Sequence, residues 1–120
     1  APDCTAAFGL HRALVVGPRT PVTDANRDAL AAALPRFVLT LSHGERVVER
    51  GVGANVLDSP ALALAHLARV LAAQPAAAPL AAGEFVTTGT VTDAWPVQPG
   101  QTWSSDYGDL GIPGLEVRLG

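Results

Sequence analysis

A chain of 120 residues holds one domain at most, and its net charge of −3 argues against electrostatic capture of nucleic acid or of an anionic membrane. No stretch reaches the ~18 uninterrupted apolar residues of a membrane span, because His66 and Arg69 break the longest apolar run, 62–73. All basic residues are Arg, so lysine Schiff-base and general-base chemistry are excluded within the chain, and the single Cys4 forms no internal disulfide.

Hydrophobic residues make up 48% of the chain, but alanine supplies much of that share and fills little volume. A core here has to lean on Leu, Val, Phe and the two Trp. The absence of Met predicts that the chain is a processed or trimmed piece of a longer product.

In chain order, the first apolar run, 13–16, reads as a short strand stopped by Gly17 and Pro18. Thr23 or Asp24 offers an N-cap for a short helix within 24–34, which Pro35 closes. From Phe37 the pattern has period two: Phe37, Leu39 and Leu41 alternate with Val38, Thr40 and Ser42. His43 and Gly44 supply a tight turn, and 45–49 returns with paired valines, which reads as a β-hairpin.

The main helix is expected over 59–74. Ser59 is its N-cap and Pro60 its first residue, where a missing N–H costs nothing; Leu64, Leu67 and Leu71 recur at helical spacing. The stretch 75–79 is an alanine- and proline-rich connector. Further strands are expected over 84–88, 102–107 and 115–119, separated by turns at Pro96, Pro99 and Gly100. Helices among short strands without βαβ alternation give an α+β fold with a mixed sheet.

Several stretches resemble one family in order. Gly51-Val52-Gly53-Ala54-Asn55-Val56-Leu57-Asp58-Ser59-Pro60 before an Ala/Leu helix is similar to the join between hairpin and helix in 2-oxopent-4-enoate hydratases and related 2-oxo-acid decarboxylases. These belong to the fumarylacetoacetate hydrolase superfamily. The hairpin 36–50, the run from Leu80 to Thr90, Pro99-Gly100 before 102–106, and Gly108-Asp109-Leu110-Gly111 before Val117-Arg118-Leu119 also resemble it. The opening Pro2 to Ala7 is weakly similar to a further segment.

The resemblance implies that residues 1–120 are a single domain forming the C-terminal, strand-rich part of a β-roll of this type. It implies a cytoplasmic enzyme of aromatic catabolism acting on a short 2-oxo acid, with magnesium or manganese bound by carboxylates upstream of this chain. On that division of labour these residues are inactive alone and associate as a homo-oligomer or with the missing N-terminal half. The alternative is a non-catalytic binding or assembly module that keeps the fold.

The candidate substrate-binding residues are Thr88, Gly89 and Thr90. A glycine between hydroxyls lets a backbone N–H and an Oγ approach one anion together, and the resemblance places a substrate-contacting hydroxyl at Thr90. Asn55 and Asp58 frame the helix start and read as structural: Asn55 satisfying turn backbone, Asp58 complementing the helix dipole. The family more often has a small residue at the Asp58 position.

His11, His43 and His66 lie in different elements, too scattered for a zinc site; His43 is expected to be exposed and His66 packed. Nothing nearby activates Cys4, and Ala6 and Ala7 stand where the resemblance expects a hydroxyl. Asp106 and Asp109 read as turn-formers beside Gly108. Trp95 and Trp103 are expected to cover one edge of the sheet.

Overall fold

The computed structural model describes residues 13–120. The expectations for Cys4, Ala6, Ala7 and His11 lie outside the described residues. Within them the fold is α+β.

The short helix α1 runs Arg27–Ala33. Its start differs from expectation: Asn26, not Thr23 or Asp24, stands at the N-cap, and no side chain caps the helix. Asn26 instead turns backwards, its Oδ1 accepting the Thr23 N–H at 2.8 Å and its Nδ2 donating to the Pro21 carbonyl. An Asx side chain that binds the approach to the helix is unavailable to cap it.

The hairpin forms as its period-two pattern requires. Strand β1 spans Val38–His43 and β2 spans Arg46–Val52, with Gly44 in the turn at φ +57°. Leu41 pairs with Glu49 and Ser42 with Val47, so Val48 is an extra residue bulging from β2. A 3₁₀ turn, Gly53–Asn55, leads to helix α2, Pro60–Ala73.

Ser59 caps α2 as expected, its Oγ accepting the Ala61 N–H, and Pro60 opens the first turn. Leu57 and Asp58 just before it have φ of +45° and +66°. Asp58 is thus a left-handed hinge at the entry to α2. That conformation favours glycine and tolerates Asp or Asn.

The segment Gly53–Ala73 is apolar and long enough by residue count to cross a membrane. Only its 14-residue α2 part is α-helical, rising about 21 Å against the ~30 Å of a hydrocarbon core. The described part of the chain therefore contains no continuous α-helix of spanning length.

Strand β3, Thr102–Asp106, and strand β4, Leu115–Arg118, complete one sheet in the order β2-β1-β3-β4. Every pairing is antiparallel, which corrects the expected mixed sheet. Parallel pairs need crossovers that return a strand in the same direction, and here each neighbour runs opposite. Gly108 N–H donates to Asp106 Oδ1 at 2.9 Å in the turn after β3, as expected of a turn-forming aspartate.

Two expected strands, 13–16 and 84–88, are absent: both segments run without regular pairing. Their β-branched residues favour extended backbone, but a strand exists only where a neighbour completes its ladder.

The core is thin. Phe37 and Val56 are the buried hydrophobic side chains of the described residues. Phe37 lies against the Tyr107 ring, centroids 5.9 Å apart, and above Gly53, whose missing Cβ leaves room for the ring. No residue of α2 is buried.

Candidate functional site

The Thr88-Gly89-Thr90 bend sits in the long connection between α2 and β3, with all three residues exposed. Thr88 Oγ1 donates to the Gly89 carbonyl at 2.9 Å, so that hydroxyl is occupied inside the bend. Thr90 leads directly into Val91, where the chain meets the sheet.

Gly89 differs from the other described glycines except the last residue, Gly120, which shares its properties. Gly44, Gly83, Gly100, Gly108 and Gly111 have left-handed φ, while Gly17, Gly51, Gly53 and Gly114 would each drive a Cβ into a neighbouring atom. At Gly89 φ is not left-handed and a Cβ would meet nothing within 4 Å. Neither backbone conformation nor internal packing calls for a glycine there. The space beside its main chain is open to an approaching group.

What locates the bend is the chain just after it. Glu49 and Gly51, two apart on β2, point to the same face. The Glu49 carboxylate accepts the Asp93 N–H at 3.1 Å and the Trp95 indole N–H at 2.6 Å. The Val91 carbonyl lies over Gly51, and Asn55 Nδ2 donates to it at 2.9 Å. Asn55 therefore satisfies backbone as expected, but that of a distant segment rather than of its own turn. Sequence reasoning did not single out Glu49, because its partners lie more than forty positions along the chain.

Upstream of the bend, the Arg19 guanidinium lies 5.2 Å from the centre of the Phe85 ring. Between these segments runs an open groove of about 280 Å³, lined by Leu14, Val16, Thr87, Tyr107, Ile112 and Leu115 among others. Thr87 borders it; Thr88, Gly89 and Thr90 do not.

The two tryptophans part company. Trp95 reaches the edge strand β2 through Glu49, but Trp103 stands on the interior strand β3. Trp103 stacks on His43, ring centroids 5.0 Å apart and nearly parallel, because the β1–β3 register sets these two residues opposite each other. His43 is half-covered by that stack rather than free at a hairpin tip, and His66 is exposed on α2 rather than packed. Among the described residues no group of three or more His, Cys, Asp or Glu side chains is placed to hold a metal ion.

Over 73 residues, 61% of the chain, the sequence is 44% identical to a 4-oxalocrotonate decarboxylase of Pseudomonas sp. (strain CF600). Over 77 residues it is 38% identical to a 2-oxo-hept-4-ene-1,7-dioate hydratase of Escherichia coli. The resemblance read from the sequence is shown by these relatives, both of the fumarylacetoacetate hydrolase superfamily. The matched stretch spans 26% of the decarboxylase and 28% of the hydratase, about a quarter of their lengths. No family model matches the chain. No solved structure matches it either.

Proposed function

We propose that this chain forms one wall of the substrate pocket in a hydratase or decarboxylase of short 2-oxo acids, with Thr88, Gly89 and Thr90 receiving the substrate carboxylate. The observation that carries this reading is the open space beside Gly89, at a glycine that no feature of the described residues demands. An anion approaching there can take a backbone N–H and the Thr90 hydroxyl together, and hydrogen bonds to a charged group are the stronger kind. The relatives, a decarboxylase and a hydratase by name, support the substrate class.

In this reading residues 1–120 are the C-terminal, strand-rich part of a larger fumarylacetoacetate-hydrolase-type domain. The thin core and the exposed leucines of α2 support a further protein surface packing on the chain, from the rest of a longer polypeptide or a second copy. The magnesium or manganese implied by the resemblance finds no donor set among the described residues, and no step of the reaction is assigned to it.

The test uses the native polypeptide containing this chain, assayed for hydration of 2-oxopent-4-enoate and decarboxylation of 4-oxalocrotonate. Gly89→Ala, whose methyl group blocks the approach, and Thr90→Val, which removes one hydrogen bond to a charged group, are each expected to raise KM by about tenfold or more, with thermal stability unchanged. Unchanged KM in both variants would sink the assignment. Binding of either acid without turnover would instead favour a non-catalytic module.

A further inference from the structure

The bend has little of its own to hold it in place. Its internal hydrogen bond, from Thr88 to the Gly89 carbonyl, stiffens the bend without tying it to the sheet. The residues before it are exposed back to Ala81, and the contact between Phe85 and Arg19 is several residues away along the chain. The seating on β2 begins only at Val91, the residue after Thr90.

Within that seating, the Glu49 carboxylate is the charged acceptor. It gathers two donors from opposite ends of a short stretch, the Asp93 backbone N–H and the Trp95 indole N–H, so the stretch between them cannot lift from the strand without losing both. The indole contact, at 2.6 Å, is short for an N–H donor. Asn55 and Gly51 hold the residues just before this stretch, through the Val91 carbonyl.

We infer that Glu49 is a positioning residue for substrate binding: by clasping Asp93 and Trp95 onto β2, its carboxylate sets where the Thr88–Thr90 bend stands. This rests on the carboxylate-binding reading of that bend. Glu49 itself touches no residue of the bend, and its effect is transmitted through Val91–Trp95. A neutral residue at this position leaves the hairpin intact, since the Leu41–Glu49 pairing is made by backbone.

The experiment compares Glu49→Ala, Glu49→Gln and Thr90→Val in the native polypeptide. The Trp95 indole N–H is followed by ¹H–¹⁵N NMR, and KM and kcat are measured with 2-oxopent-4-enoate. Glu49→Ala is expected to move the indole resonance towards that of a free indole and to raise KM about tenfold while kcat changes about threefold or less, the pattern of lost binding rather than lost chemistry. Glu49→Gln keeps an oxygen acceptor for the indole and is expected to fall between it and the parent in both readouts.

An indole resonance that does not move in Glu49→Ala overturns the inference, because the clasp would then be absent. A resonance that moves while KM stays at the parent value overturns it too, leaving Glu49 a purely structural anchor. The Thr90→Val arm separates the two ideas. If KM rises there but not in Glu49→Ala, only the positioning role falls; if it rises in neither, the carboxylate-binding reading falls as well.

Discussion

Gly51 lies directly beneath the Val91 carbonyl: a Cβ on Gly51 would stand 2.2 Å from that oxygen. The same oxygen accepts from Asn55 Nδ2 at 2.9 Å. A glycine in the hairpin and an amide after it thus form a seat for the connection that carries the candidate site. The close approach is possible only because β2 offers bare backbone at that point.

Gly51→Ala is therefore expected to push the 91–95 stretch off the strand and to destabilise the fold by about 1–3 kcal/mol, the range for overpacking a filled position. Thermal or urea unfolding measures it, and near-ultraviolet circular dichroism reports the change around Trp95. A variant as stable as the parent, with the same aromatic spectrum, would show that Val91 does not sit on Gly51.

The start of α2 offers a paired test. Ser59→Ala removes the side chain that caps the Ala61 N–H and should cost about 1 kcal/mol. Asp58→Ala should cost a similar amount, about 1–2 kcal/mol, because alanine tolerates the left-handed φ of +66° less well than aspartate does. Asp58→Gly and Asp58→Asn should be tolerated. Equal stability of Asp58→Ala and Asp58→Gly in urea unfolding would contradict the hinge.

Phe37 is the larger of the two buried hydrophobic side chains, 9% exposed, and it fills the space between Gly53 and Tyr107. Phe37→Ala is expected to destabilise the fold by about 3–5 kcal/mol, and with so little other burial that loss should abolish a cooperative unfolding transition. A sharp transition near the parental midpoint would mean the core lies elsewhere.

Leu62, Leu64 and Val70 of α2 are 47%, 44% and 52% exposed. An apolar helix with no buried residue calls for a partner surface. Light scattering is expected to find these 120 residues in particles heavier than the 12.3 kDa chain, and Leu64→Asp to shift them towards that mass. A clean monomer of the parent chain would remove α2 as an association face.

The hairpin and α2 were legible in the sequence because their signals are local. Alternation from Phe37 to Ser42, a glycine able to hold φ +57° at the turn, and Ser59-Pro60 ahead of spaced leucines act within a few residues of one another. Strand signals at 13–16 and 84–88 misled for the complementary reason. A run such as Phe85-Val86-Thr87-Thr88 prefers extended backbone, but a ladder needs a second strand alongside, and none of the described strands pairs there.

The candidate bend was readable as Thr88-Gly89-Thr90, and so was the likeness to 2-oxo-acid hydratases and decarboxylases that the relatives bear out. Its setting was not. Glu49 and Trp95 are 46 positions apart, and no periodicity or turn rule joins a surface glutamate to an indole so distant in the chain. By itself the sequence determined the elements whose hydrogen bonds close over short loops, together with the family likeness. Only the tertiary structure decided that the sheet of the described residues is wholly antiparallel and that Glu49, Gly51 and Asn55 form the bed for the segment that follows the bend, because those contacts exist only once distant segments have met.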